Sequence, residues 1–292
     1  MQQFPGYSRC VLFSVEINLS LLHQQKERID TLKFYISHQY KGTGVSQGLD
    51  RGLLVYYDNI LLLEEGMGLG ACAFQTGGYT HFTSIKSIKK PEDSFEVIGS
   101  IDKRLVWKVL GIKSSLLTRT LEYITTKIYM KHEKSQKLLL QLGQLLGILF
   151  NVKACFVKVP SLGEVRITYE LRANEITVDL SCETEEIESK LFVLNELGGS
   201  IFDKGLINNE LSASPSGWQK IEGPCELYSC TYSLAFALIE RHVPANVQSK
   251  LYWGREQTSK NYCWAGFESE LICSSRKFDN YRYSIKFREV AK

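Results

Sequence analysis

No apolar stretch of the 292-residue sequence reaches the roughly 18–20 residues that a helix needs to cross a bilayer. The nearest, Leu138 to Phe150, is broken by Gln141 and Gln144, so it reads as a core or interface segment and no integral membrane span is expected. The opening residues Met1-Gln2-Gln3-Phe4-Pro5 have neither the basic start nor the apolar run of a secretion signal. The expected compartment is therefore the cytoplasm. Charge of one sign is also missing. With 35 basic against 32 acidic side chains the formal net charge is +3, too balanced for the nonspecific phosphate attraction of a dedicated nucleic-acid binder. Lys86, Lys89 and Lys90, and a second group at Lys127, Lys131, His132, Lys134 and Lys137, form only local basic patches, which leaves nucleic acid as the weaker partner reading.

Dense cysteine spacing is absent. Eight cysteines are scattered from Cys10 to Cys273, which suits free thiols in a chain long enough to build its own core. Neither paired cysteines two residues apart nor a His-Glu-x-x-His run occurs, so no metal set is expected. The cluster Gly66-Met67-Gly68-Leu69-Gly70 is not followed by Lys-Ser/Thr and lacks the strand, glycine fingerprint and helix of a dinucleotide site. No cofactor is assigned on these grounds.

What is present is an ordinary globular composition, 44% hydrophobic and 23% charged. Period-two alternation marks extended segments at Cys10 to Leu19 and Thr31 to His38. Hairpins are read at Leu53 to Glu64, turning at Asp58-Asn59, and at Ala71 to Ile85, turning at Gly77-Gly78. Phe95 to Ser100 is expected to pair with Leu105 to Leu110 across Ile101-Asp102-Lys103-Arg104. From Ser114 the spacing of Leu117, Leu121, Ile124 and Ile128 predicts a helix, and Leu138 to Phe150 a second one, apolar nearly all round, able to meet another copy of the chain. Val165 to Leu171 and Ile176 to Leu180 form an amphipathic hairpin. Thr184 caps a further predicted helix with the stripe Ile187, Leu191, Leu194 and Leu197. Residues 200–224 read as irregular, Tyr228 to Ile239 as a buried helix, and 248–254, 262–273 and 281–288 as strands.

The fold expectation is thus α+β, with antiparallel β-rich N-terminal and C-terminal portions flanking central helices: 1–112, a helical segment 113–150, and an α+β portion 151–292 that can pack with the first as one unit. Two side-chain groups are candidates for a site. Tyr79 and His81, with Asp58 or Glu64, have the donors and carboxylates of acid–base chemistry; the competing reading makes Asp58 a turn former and Glu64 the polar end of a strand. Beside Tyr79 and His81, Gly77 and Gly78 with the Gly66–Gly70 cluster could offer backbone amides to an anionic group, and the run Trp253-Gly254-Arg255-Glu256, followed by Tyr262-Cys263-Trp264, offers aromatic walls and one guanidinium to a planar or anionic ligand, unless the aromatics are simply sheet core. The first function expected is a small-molecule binding or sensory module without a catalytic step. Alternatives are an acid–base enzyme acting on a small polar or aromatic substrate, and an assembly component forming a homo-oligomer through 138–150.

Overall fold

The computed structural model describes residues 12–16, 32–37, 49–57, 59–64, 66–77, 79–90, 94–109, 152–172, 174–185, 189–208, 210–213, 217–259 and 262–290. A small antiparallel sheet is ordered β1 (Leu12–Glu16), β2 (Leu32–Ser37), β3 (Leu54–Tyr57) and β4 (Ile60–Leu61). Asn59 makes the β3–β4 turn with φ +62°, the left-handed conformation that asparagine tolerates.

All remaining strands join one antiparallel sheet of 15. In chain order they are β5 (Gly68–Thr76), β6 (Tyr79–Lys89), β7 (Ser94–Val109), β8 (Val152–Lys158), β9 (Gly163–Arg172), β10 (Glu175–Thr184), β11 (Ser189–Gly198), β12 (Lys204–Ile207), β13 (Glu210–Ala213), β14 (Gly217–Lys220), β15 (Cys225–Ser229), β16 (Leu234–His242), β17 (Val247–Ser259), β18 (Tyr262–Cys273) and β19 (Lys277–Glu289). Their spatial order is β13-β12-β15-β16-β19-β10-β9-β7-β6-β5-β11-β18-β17-β14, with β8 on β7.

The sheet folds over on itself. Flat, β16 and β18 would stand roughly 38 Å apart at the usual strand spacing, yet Phe236 of β16 and Phe267 of β18 meet edge to face with centroids 5.3 Å apart. The Tyr283 hydroxyl of β19 donates to Asn195 of β11 at 3.0 Å, and Tyr169 of β9 donates to the Leu69 carbonyl of β5 at 2.9 Å. Two layers therefore face each other across one core, turning over near β6 and β7. Alternation builds that core: Val165, Ile167, Tyr169 and Leu171 of β9, Ile176, Val178 and Leu180 of β10, and Tyr281, Tyr283, Ile285 and Phe287 of β19 all point inward, as a half-buried strand requires.

The α+β expectation is overturned: no helix occurs among the described residues, and the fold there is all-β. Ser189–Gly198 is a strand. Leu191, Val193 and Leu197 enter the main core while Leu194 packs on the opposite face, and a strand buried on both sides shows no alternation to read. Tyr228 to Ile239 is likewise not a helix but the β15–β16 hairpin, with Ser233 in its turn at φ +53°. No turn interrupts Ile101 to Arg104 either; β7 runs straight through, pairing β9 over Ser94–Ser100 and β8 over Lys103–Val109. Residues 200–224 contain three short strands. The helices expected over 114–150, including the contact segment 138–150, lie outside the described residues. Among the described residues no helix is long and apolar enough to cross a membrane.

Candidate functional site

The outward faces of the two layers differ. Beyond β10 and β19 the surface is laced with exchangeable ion pairs, Arg282 with Asp179 at 2.6 Å and Lys286 with Glu175 at 3.2 Å, as expected of a solvated face. Beyond β11, β18 and β17 it carries aromatic rings and carboxyls instead.

Register places them. One row across the strands runs Glu196, Gly266, Gly254, Trp218. The rows beside it run Gly198, Trp264, Glu256 and Leu194, Glu268, Tyr252. A further row holds Phe192, Glu270 and Lys250. Trp264, Glu196 and Glu270 are buried, whereas Trp218, Tyr252, Glu256 and Glu268 are half-buried, so a closed floor is edged by groups that still reach the surface. Trp218 stacks on Trp264 with centroids 4.3 Å apart and 24° between the planes.

The four carboxyls are not equivalent. Lys190 donates to Glu270 at 2.6 Å and the Tyr252 hydroxyl donates to its other oxygen at 3.0 Å. Burial works to raise Glu270, but these donors outweigh it and hold the group below the usual carboxylate range. Glu196 accepts the Met67 amide at 2.8 Å; burial still pushes it up to about 7, against that amide and the nearby Arg51. Glu268 is pushed up to about 8 by burial and then by the charges of Glu196 and Glu270. Glu256 is raised by burial.

The residues singled out from sequence are divided by the fold. Arg255 pairs with Ala265 and Trp253 with Phe267, so both point to the core side; Trp253 lies against Gly205, and Arg255 donates to the Gly199 carbonyl at 2.6 Å. Trp264 is on the other face. Tyr262 lies in β18, and its side chain is outside the described residues, as are Asp58 and Gly78. Gly77 turns the β5–β6 hairpin at φ +56°. Tyr79 is exposed and His81 buried, with ring centroids 6.5 Å apart, and the Arg104 guanidinium lies 4.8 Å over the Tyr79 ring.

Glu64 does not join them. Its carboxylate accepts the Ser200 amide and hydroxyl and its side chain lies against Gly198. His81 stands level, through Phe74, with Leu191. That is seven residues along β11, about 23 Å at the rise of a strand.

The residues that sequence reasoning did not select as a site are Glu196, Glu268, Glu270 and Trp218; Glu256 closes the run that begins at Trp253 but was given no role of its own. One signal was available: Glu196 follows the apolar run Leu191-Phe192-Val193-Leu194 with only Asn195 between, and Glu268 and Glu270 stand between Phe267 and Leu271, where carboxyls are costly unless a role holds them there. Between the layers, a cavity of about 30 Å³ touching Arg51, Gly70 and Tyr169 has room for water rather than a metabolite.

No family model and no curated protein matches the chain. Among solved structures, a candidate aldose 1-epimerase of Escherichia coli K12 is similar at a TM-score of 0.43 and 10% identity, over 89% of this chain and 96% of that one. A heparan sulfate lyase mutant from Pedobacter heparinus gives 0.42 and 6%, over 90% of this chain but 34% of the lyase. A protein of Synechocystis sp. PCC 6803 gives 0.40 and 8%, over 99% and 100%. Likeness at this level assigns neither a family nor an activity. What the geometry establishes is a folded-over β-sheet with one solvated outer face and one that carries four carboxyls and an indole stack.

Proposed function

We propose that the chain is a small-molecule binding module whose ligand lies on the outer face of β11, β18, β17 and β14. The observation that carries this reading is the half-buried Trp218 stacked on the buried Trp264, which pairs with Glu256. An indole held by a second indole is a rigid platform that loses little freedom on binding, and the Glu256 carboxyl supplies orientation. The ligand is placed on the sheet, where Trp218 and Glu256 reach the surface.

Native mass measurement of the purified protein, followed by a screen of small polar compounds read by tryptophan fluorescence, tests this. A binder is expected whose response disappears in Trp218→Ala. Compounds that bind with unchanged affinity to that variant would remove the site, and no binder at all in either measurement would remove the function.

An acid–base enzyme is the second reading. Glu196 and Glu268 favour it more than Tyr79, His81 and Glu64 do, because carboxyls that keep their protons near neutral pH serve as general acids and Glu64 stands far from the other two. It predicts turnover of a bound compound that Glu268→Gln abolishes while Trp218→Phe retains it.

A further inference from the structure

Arg104 is a cation without an acid. Lys103 beside it pairs with Asp50 at 3.7 Å, Lys86 of β6 with Glu164 at 3.5 Å and Arg166 of β9 with Glu96 at 3.6 Å. Among the described residues no carboxylate pairs with Arg104, and its Nε is buried without a hydrogen-bond partner. Its cross-strand neighbours are His81 on β6 and Val157 on β8. The carboxylate of Asp102, two residues back, accepts from the Ser84 hydroxyl at 2.5 Å. A buried donor with no acceptor is costly to keep and uncommon in a folded chain.

The surroundings narrow what meets it. The row Leu191, Phe74, His81, Arg104 crosses four strands on the core-facing side, and Tyr79, two residues from His81, lies on that same side of β6. Leu191 and Phe74 are closed in the core whereas Tyr79 is 39% exposed and Arg104 half-buried, so the core gives way to the surface here. The Arg104 guanidinium lies 4.8 Å over the Tyr79 ring, and the Tyr79 and His81 rings meet at 65° with centroids 6.5 Å apart. A ring face takes the flat side of a guanidinium and leaves its N–H fork, which lies in the guanidinium plane, open to an acceptor. The Tyr79 hydroxyl makes no hydrogen bond among the described residues. Two kinds of donor therefore adjoin, and neither is used within the fold.

We infer that Arg104, with the Tyr79 hydroxyl beside it, binds the tetrahedral oxyanion of a small phosphorylated or sulfated molecule on the core-facing side of β6 and β7. The fork matches two oxygens of such a group and the phenol donates to a third; a carboxylate has no third oxygen to offer. Stacking on Tyr79 fixes the fork in advance, so less freedom is lost on binding. The phosphates of a nucleic-acid backbone fit less well, because Lys86, Lys103 and Arg166 already hold carboxylates and leave no basic stripe for a chain to follow. The site does not rest on the tryptophan face, which lies on the outward side of β18 and β14.

The experiment is nuclear magnetic resonance of the whole chain carrying isotope-labelled arginine, titrated with inorganic phosphate, sulfate and acetate at constant ionic strength set by chloride. The Nε–H resonance that Arg104→Lys removes identifies Arg104. Phosphate or sulfate is expected to shift it with a Kd of about 1 mM or tighter, at least about tenfold tighter than acetate, and to raise the thermal midpoint; the tighter of the two names the source. Arg104→Lys keeps the charge, loses the fork and should weaken binding about tenfold. Tyr79→Phe keeps the ring and should weaken it about threefold or more, and Trp218→Ala should leave it unchanged. An Arg104 resonance that does not move, acetate binding as tightly as phosphate and sulfate, single-stranded DNA binding more tightly than either, or affinity indifferent to both Arg104→Lys and Tyr79→Phe overturns the inference. The comparison with acetate is made on the parent chain, so it stands even where a variant fails to fold.

Discussion

Trp218 stacks on Trp264 at 4.3 Å although β17 separates the strands that carry them. Gly254 is the residue between. A Cβ there would lie 2.1 Å from the Gly217 carbonyl oxygen and 3.2 Å from the Trp218 Cα, so β14 could not keep its place. Gly254→Ala is expected to cost about 2 kcal/mol or more of stability, as overpacking of a closed contact does, and to remove the circular-dichroism signature of coupled indoles. An unchanged denaturation midpoint with the coupling retained would contradict this account of the stack.

The raised carboxyls make a prediction in pH. Glu196 is pushed up to about 7 and Glu268 to about 8 from the ordinary glutamate value of 4.5, so over that interval the folded chain holds protons that the unfolded chain has released. Their contribution to stability therefore falls as pH rises from about 4.5 to about 8, by on the order of a few kcal/mol together. Glu175 and Glu270 are lowered and act in the opposite sense, losing stability as pH falls through their folded values. The difference between parent and variant isolates Glu268. Glu268→Gln should raise the denaturation midpoint more at about pH 8 than at about pH 5, and an equal effect at both would show that the group does not ionise in place.

Part of this was legible from sequence. β9 and β10 alternate apolar and polar residues because one face of that layer meets water, and the β5–β6 hairpin announces itself through Gly77. β11 does not alternate, since Leu191 and Leu194 are buried on opposite faces, and a strand covered on both sides mimics a helical stripe. The Trp253, Arg255 and Trp264 grouping failed on parity. Glu256, not Arg255, pairs with Trp264 across the β17–β18 ladder, so nearness along the chain put side chains on opposite faces. Glu196, Glu268 and Trp218 come from three strands, and only pairing register brings them together.

Asn195 links the two layers. Fully buried, it accepts the Gly70 amide and the Tyr283 hydroxyl on one oxygen, each at 3.0 Å. Asn195→Leu leaves both donors without a partner inside the core and should cost about 3 kcal/mol, the combined penalty of unmet buried donors. Adding Tyr283→Phe removes one of those donors, so the double variant should lose less than the two single variants summed. Strict additivity in urea denaturation would mean that the hydroxyl is satisfied elsewhere.

Glu64 and His81 test the acid–base reading that their proximity in sequence invites. Glu64 is tied to Ser200 at the Gly198 end of β11, and its backbone carbonyl takes the Arg51 guanidinium. His81 is buried beside Tyr79 at the level of Leu191. Positions about 23 Å apart along the strand direction should act independently, so the double-mutant cycle of Glu64→Gln and His81→Asn should close within about 0.5 kcal/mol. Coupling above about 1 kcal/mol would require the β5–β6 hairpin to approach Gly198 in a conformation other than this one, and would bring Tyr79, His81 and Glu64 back together as one site. Independence leaves proton transfer, if the chain performs any, to the carboxyls on the outer face of β11 and β18, where the charge of Glu196 already raises Glu268.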